Sequence, residues 1–242
     1  MNETQGVFGL GTTFWRGQGD ETWALVPKVF RSPPNYPEST LLWRFITGAT
    51  PRTHLRLSND DYIAWIHLAQ HYGLPTRLLD WTTNPLVALY FAIRDTKHHN
   101  VDGCIWALTP ARLNECEQQG ERTIVPARDS PAGWMIVAAF GVSAPPAPLP
   151  AVIALTASQS DLRMLVQQAA FTIHRDNVDL RDHPAATKIL RKFIVPKDSK
   201  GYLRDRLMHM GISVGTVFPD LRTHCLNRRS KGFPGVKERQ NH

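Results

Sequence analysis

Cysteine is scarce in this chain of 242 residues, and its spacing argues against two kinds of small scaffold. The three cysteines, Cys104, Cys116 and Cys225, are odd in number, widely separated and form no CxxC pair. Such spacing supports neither a disulfide framework nor a zinc site. We therefore expect structural thiols.

Long hydrophobic runs are also missing. The longest, residues 134–142, is far shorter than the ~18 residues that a membrane-spanning helix needs. The first residues lack the basic and apolar regions of a signal peptide. The expectation is a cytoplasmic protein without a membrane segment.

Several familiar catalytic motifs are absent. The sequence has no GxSxG, no GxxxxGK[ST] and no GxGxxG after a predicted strand. These absences argue against a Ser-His-Asp hydrolase, a P-loop NTPase and a Rossmann enzyme. Glutamate is missing over a long stretch as well, with none between Glu121 and Glu238.

Positive charge is in excess, with a net charge of +7 and a pI near 9.6. From Arg222 onward, six Lys/Arg residues face Glu238 alone, a net charge of +5. We predict a basic tail at 227–242, which is either a solvated end or an arm that binds phosphates. It permits a nucleic-acid or acidic-protein partner, although no base-reading motif accompanies it.

Hydrophobic periodicity and turn residues predict an α+β fold in a single mixed domain. The predicted strands are 12–16, 76–81, 103–109, 151–156, 171–174 and 189–195. The predicted helices are 38–47, one capped by Ser58, one opened by Asn84 and Pro85, 158–168, and one capped by Ser199. In the helix that Asn84 opens, we expect Leu86, Leu89, Tyr90 and Ile93 to face the core.

The first predicted strand ends on an arginine followed by two glycines that flank a glutamine: residues 12–19 read TTFWRGQG. Arg16 places a planar, permanently charged donor at the strand end, which suits a pyrophosphate or another paired-oxygen anion. Gly17 and Gly19 would let the backbone approach a ligand closely, with Gln18 between them. The alternative is an edge strand in which Arg16 forms a structural ion pair.

The second candidate region combines two histidines and a carboxylate. His67 and His71 share a helix face, and Asp80 could complete a metal site, but no glutamate base lies between them and the ligand set is thin. We therefore expect no metal. Asp80 must be paired near apolar walls. Arg77 should point to the opposite face, so Arg16 is the candidate partner; a structural salt bridge or cap is the alternative.

Residues 69–92, AQHYGLPTRLLDWTTNPLVALYFA, combine with the opening FWRGQ at 14–18 into a recognisable pattern. Together they resemble the FRG domain, a bacterial and phage family. Weaker likeness continues at 168–173 and at 211–221, so the resemblance spans roughly 12–226. We predict an FRG domain at 1–226 that precedes the basic tail.

A strand arginine, a second strand that ends in hydroxyl residues and a helix reading ALYFA also look like the ADP-ribosyltransferase fold, which implies a central split β-sheet with flanking helices. The resemblance implies that Arg16 clamps NAD, that Thr82 contacts the nicotinamide riboside and that Gln168 stands where an acidic residue is expected. Since that glutamate is missing, Gln168 positions the acceptor, Asp80 supplies the charge, or transfer activity is absent.

The resulting hypothesis is an NAD-dependent ADP-ribosyltransferase-like toxin or defence effector that modifies a nucleic acid, with RNA favoured over single-stranded DNA, or a protein. An antitoxin is a further candidate partner. The candidate catalytic residues are Gln168, Asp80 and His71, and the candidate NAD-binding residues are Arg16, Gly17, Gln18, Thr82, Trp81 and Tyr90. Trp81 and Tyr90, like Trp15, either stack on the ligand or simply pack in the core. The alternatives are a non-catalytic sensor of a toxin-antitoxin or phage-defence system, and an NAD-independent nuclease using His71 and Asp80.

Overall fold

Six strands form one antiparallel sheet in the part of the chain that the computed structural model describes: residues 12–52, 57–118, 122, 124, 130–142, 149–157 and 162–219. The strands are β1 (Phe14–Gln18), β2 (Leu78–Thr82), β3 (Gly103–Leu108), β4 (Val152–Thr156), β5 (Ala169–His174) and β6 (Leu190–Val195). Their order is β4-β5-β2-β1-β3-β6, with each neighbouring pair antiparallel. The predicted α+β class is confirmed.

Helices alternate with these strands along the chain. They are α1 (Lys28–Arg31), α2 (Glu38–Ala49), α3 (Tyr62–His71), α4 (Pro85–Ile93), α5 (Pro110–Glu117), α6 (Pro131–Ala139), α7 (Leu162–Val166), α8 (Ala186–Ile189), α9 (Lys200–His209) and α10 (Val214–Val217). Among the described residues, none of these helices has the length and apolar character needed to cross a membrane.

Local cap chemistry explains where the two helices nearest the site begin. The Asn84 side chain accepts a hydrogen bond from the Leu86 amide, and Pro85 occupies the first turn, as predicted. The cap of α3 differs from the prediction: Asp61, rather than Ser58, accepts from the Ala64 amide. Asp61 competes better because it lies directly before the first helical residue.

Side chains pack on both faces of the sheet. One cluster joins Leu78, Ile153, Leu155, Phe171 and Ile173 to α2, α3 and α6. On the second strand, Leu79 and Trp81 belong instead to a cluster with Phe14, Trp106 and Leu108. The alternation along β2 therefore turns Asp80 away from the second cluster.

The buried face of α4 differs from the one expected. Its buried residues are Val87, Ala88, Ala92 and Ile93, whereas Leu86 is exposed. The reason lies in β1: a Cβ atom added to Gly17 would lie 1.8 Å from the Ala88 carbonyl oxygen. Glycine on the strand and alanines on the helix let the two backbones come together, so the small residues face inward.

The sheet has a seam at its centre. β1 pairs with β2 through the single register pair Trp15 and Thr82, whereas β1 and β3 pair along the whole strand. We expected a split sheet; the structure has one sheet with this thin junction. The predicted tail at 227–242, the boundary at 226 and Cys225 lie outside the described residues.

Candidate functional site

A cavity of about 970 Å³ opens at the seam between β1 and β2. Its walls come from both strands, the end of α3, α4 and the segment around α7. The lining includes Trp15, Arg16, Gly17, Trp23, Gln70, His71, Tyr72, Asp80, Trp81, Thr82, Phe91, Arg94, Asp95, Arg163, Gln167 and Pro219. A volume of this order is typical of sites that enclose a ligand of drug or cofactor size.

Arg16 lies at the inner wall of this cavity and bridges the seam. Its Nη1 donates to the Asp80 carbonyl oxygen at 2.6 Å, a bond that replaces the missing strand pairing. The Arg16 Nε atom is buried, and no hydrogen-bond partner for it exists among the described residues. Burial lowers the pKa of Arg16 to about 10, partly offset by Asp80, so the guanidinium stays charged at neutral pH. A half-buried cation whose buried Nε makes no hydrogen bond to the described residues is therefore available to a ligand.

Asp80 is oriented by an amide. The Gln70 Nε2 atom lies 3.0 Å from both carboxylate oxygens, and the Gln70 Oε1 atom accepts from the Thr76 hydroxyl at 2.6 Å. Arg16 reaches the backbone of Asp80 and not, by any bond among the described residues, its carboxylate. Arg77 points away, as expected, and its Nε lies 2.8 Å from Glu38. The Asp80 carboxylate thus stays exposed toward the cavity while its direction is fixed.

The two histidines of α3 have different surroundings. His67 is fully buried and stacks on Phe171 at 4.8 Å, and desolvation lowers its pKa to about 4. His71 is half-buried on the cavity wall, and its carbonyl accepts from Arg163 at 3.3 Å. Over the described ranges, no group of three His, Cys, Asp or Glu side chains could hold a metal ion.

The end of β2 is tied to the turn before β5. The buried Thr82 hydroxyl donates to the Gln167 carbonyl at 2.6 Å and accepts from the Asn84 amide. Gln168 is exposed, lies outside the cavity lining and has a φ of 46°, rare for a residue other than glycine. Its Oε1 accepts from Thr83. The adjacent Gln167 lines the cavity instead.

Three predicted ligand residues engage the protein itself. Gln18 is buried away from the cavity, where its Oε1 accepts from Trp106 at 2.9 Å. Trp81 touches the cavity, but its indole donates to Thr172 within the opposite core. Tyr90 lies outside the lining, with its ring near Phe91 and Phe218. The structure therefore brings together Arg16, Gly17, His71, Asp80, Trp81 and Thr82, but not Gln18, Tyr90 or Gln168.

Residues 11–101 match the family model described as the FRG domain. This segment of the chain is similar to the FRG domain. The match covers β1, β2 and the helices up to α4, so it includes the segment that supplies Arg16, Gln70 and Asp80. No curated protein and no solved structure matches the chain.

The outer part of the cavity comes from beyond the matched FRG segment. Arg163 and Gln167 belong to α7 and the turn after it, and Pro219 follows α10. Sequence reasoning missed these residues because nothing local marks them. Gln70 was also missed, although it lies three residues after His67 and one before His71 on the same helix. That spacing would have indicated it.

Proposed function

We propose that this protein is an NAD-dependent ADP-ribosyltransferase-like enzyme and that the cavity at the seam is its NAD site. The observation that carries the proposal is the charged Arg16, whose buried Nε has no partner among the described residues and which lines a cavity of about 970 Å³. A guanidinium fork in a desolvated site suits a pyrophosphate. A dinucleotide is also of the size that such a cavity encloses.

The lining residues suit the two aromatic ends of a dinucleotide. Trp15, Trp23 and Phe91 line the cavity and are only half-buried, so their rings retain exposed surface. Aromatic faces stack on nicotinamide or adenine at little entropic cost. NAD would supply the ADP-ribosyl group and nicotinamide as the leaving group.

Asp80 is the best-placed residue to stabilise positive charge on the ribose. Within the described residues the cavity lining contains two carboxylates, Asp80 and Asp95. Asp95 is engaged with the Lys97 amide and with His98, whereas Gln70 fixes the direction of Asp80. A preoriented carboxylate favours a transition state with developing positive charge. Asp80 therefore takes the role that the resemblance would give to an acidic residue near Gln168.

The test is the release of nicotinamide from NAD by the purified protein. We expect Asp80→Asn to lower the rate about 100-fold, as loss of one electrostatic contact typically does. Asp205→Asn, an exposed carboxylate on α9, is the matched control and should keep the wild-type rate. Equal rates for wild type and D80N, or no nicotinamide release by the wild type, would count against the enzyme.

A non-catalytic sensor of an anionic nucleotide is the second candidate, and one observation favours it. The Thr82 hydroxyl, expected to contact the riboside, is bonded to Gln167 and Asn84. A sensor would bind NAD with Arg16 and yet release no nicotinamide. Calorimetry beside the rate assay separates the two. A toxin or defence role for the enzyme further requires that induced expression slow growth and that D80N relieve it.

A further inference from the structure

The two outer strands of the sheet, β4 and β6, differ in how their free edges are covered. Along the β4 edge, the Asn114 side chain donates to the Ala154 carbonyl at 2.9 Å and accepts from the Ala154 amide at 2.8 Å. The Glu117 carboxylate accepts from the Ala151 and Val152 amides. Side chains of α5 therefore take the place of a further strand at this edge.

The ladder between β3 and β6 shows which main-chain groups of β6 point outward. The Thr109 amide donates to the Ile189 carbonyl at 2.9 Å, which fixes the phase of this antiparallel ladder. Because bonded and non-bonded pairs alternate, Arg191 and Phe193 direct their amides and carbonyls toward β3. The residues that direct these groups away from the sheet are Leu190, Lys192 and Ile194.

Two of the outward residues are open to a partner strand. The Leu190 carbonyl accepts from Arg191 Nη1 at 2.9 Å, and Pro196 has no amide to direct outward. In the described part of the chain β3 is the one strand beside β6, so the outward amides and carbonyls of Lys192 and Ile194 have no main-chain partner there. Alternating donors and acceptors of this kind pair with an added extended segment.

Apolar side chains flank this open edge on both faces of the sheet. Phe193 is 46% exposed and Ile194 is 47% exposed. Successive residues of a strand point to opposite faces, so a partner strand could pack one side chain on each of them. On one face, the Phe193 ring centroid lies 6.3 Å from that of Trp15. Pairing at β6 would therefore bury apolar surface as well as satisfy main-chain groups.

The charge of this edge selects among partners. Residues 183–197 contain four Lys/Arg and no Asp or Glu. Glu21 lies 2.7 Å from Lys192, but within the described ranges Arg191 donates to main-chain carbonyls only, and no carboxylate pairs with the exposed Lys188. A second copy would bring like charges together, which is how cationic edges resist self-association. An acidic strand is attracted instead.

We propose that β6 is a docking edge for an extended, acidic segment of a partner protein, which adds a strand to the sheet. The main chain of the segment pairs with Lys192 and Ile194, a carboxylate lies beside Arg191, and apolar side chains pack on Phe193 and Ile194. This inference is independent of the proposed function, because these residues lie outside the lining of the cavity.

The probe is a fluorescein-labelled peptide of about eight residues in which pairs of glutamates alternate with pairs of valines, so that each face of the strand presents both. Fluorescence anisotropy measures its binding. A peptide with lysine in place of glutamate is the charge control and should bind at least about 10-fold more weakly. K188E/R191E should reverse this preference. R44E/R52E, on and just after α2, makes the same charge change and should not reverse it.

A second comparison tests the main-chain pairing. Ile194→Pro removes an outward amide without removing a bond to β3, and it should weaken binding of the acidic peptide about 10-fold. Ile194→Thr keeps the amide and should weaken binding less than about threefold. N-methylation of the peptide's valines removes donors without altering the protein, and it should also weaken binding about 10-fold. Thermal melting shows whether each variant keeps the fold.

Hydrogen exchange, followed by NMR, locates the added strand. In the free protein the amides of Arg191 and Phe193 should be protected, whereas those of Lys192 and Ile194 should exchange readily. The acidic peptide should slow exchange at Lys192 and Ile194 and leave the other two unchanged.

Three results would overturn the inference: equal binding of the two peptides by the wild type, binding that N-methylation leaves unchanged, or unaltered exchange at Lys192 and Ile194 in the presence of the acidic peptide. Sedimentation velocity tests the competing occupant, a second copy of the chain. A wild-type dimer that I194P dissociates would show that β6 pairs with itself, and it would also overturn the inference.

Discussion

Two cations, the half-buried Arg16 and the buried Lys200, show how the seam differs from the closed interior. Lys200 is 1% exposed, and its Nζ donates to the carbonyl oxygens of Gly19 and His98, both at 2.8 Å. Within the described part of the chain, Arg16 makes one hydrogen bond, to the Asp80 carbonyl, and its Nε, beside the cavity, has no partner. Burial lowers the pKa of both groups. Lys200 therefore uses its donors within the protein, whereas Arg16 keeps a donor that a ligand can use.

Other buried polar groups of the closed interior also find their hydrogen-bond partners within the protein. The Trp81 indole donates to Thr172, the Thr172 hydroxyl donates to His174 Nε2, and His174 Nδ1 donates to the Val178 carbonyl. The last two of these bonds use both nitrogens of the neutral imidazole. Polar groups in this region are satisfied by the protein, so changes there should affect stability first, and changes at the seam should affect binding first.

The largest expected effect on stability comes from Gly17, which brings β1 against α4. Gly17→Ala would push a methyl group into the Ala88 carbonyl, whose oxygen would lie 1.8 Å away. We expect a loss of more than about 4 kcal/mol in the free energy of unfolding, because backbone cannot move aside as a side chain can. Gly19→Ala is the control: its new Cβ would meet His98 at 3.5 Å, and it should cost less than about 1 kcal/mol. Urea titration measures the stability of both variants, and equal unfolding midpoints would contradict the close approach of β1 and α4.

The second effect depends on pH and concerns His174. Desolvation lowers the pKa of His174 to about 3 in the folded protein, against 6.5 ordinarily. Between these values the unfolded chain binds one proton more, so stability falls as the pH falls. His174→Gln should lower the slope of unfolding free energy against pH by about 1.4 kcal/mol per pH unit between about pH 6 and 4.

The matched control for this slope is His209→Gln, which replaces an exposed imidazole. Denaturant titrations at several pH values give both slopes. A variant H174Q whose slope equals that of the wild type would show that the imidazole is already protonated in the fold.

The third effect is the loss of the Lys200 ammonium. Lys200→Met leaves the Gly19 and His98 carbonyls without their donor, which costs about 3 kcal/mol. Lys188→Met, on the exposed side of α8, should cost less than about 0.5 kcal/mol. Thermal melting measures the stability of both variants. A melting midpoint for K200M equal to that of the wild type would show that the Lys200 ammonium does not stabilise the interior.

The sequence predicted the strands, most helix starts and half of the candidate site, for reasons that are local. Asn84-Pro85 and the alternation along β2 act within a few residues, and Arg16 and Asp80 lie at strand ends that adjoin the cavity. Gln18 was assigned to the ligand because it lies close to Arg16 on the same strand, but its side chain is used within the core, where it accepts from Trp106. The expected face of α4 was right for Ile93, which is buried, and for Leu89 and Tyr90, which pack against its cluster, but wrong for Leu86, which is exposed. The close approach of Gly17 adds Ala88 to the inward face. The outer part of the cavity depends on α7 and on the residue that follows α10, Pro219, which meet β1 and β2 only in the folded chain.

The smallest expected effect on stability, and the sharpest contrast with Lys200, belongs to Arg16. Arg16→Met removes one hydrogen bond to the Asp80 carbonyl but also removes a charge that burial makes costly. These contributions oppose each other, so the free energy of unfolding should change by no more than about 1 kcal/mol. Binding of NAD, measured by calorimetry, should nevertheless weaken at least about 10-fold, because the guanidinium has no substitute at the inner wall. If R16M instead destabilises the protein as much as K200M does, the Arg16 guanidinium has a structural role like that of the Lys200 ammonium, and the proposed anion site in the cavity is contradicted.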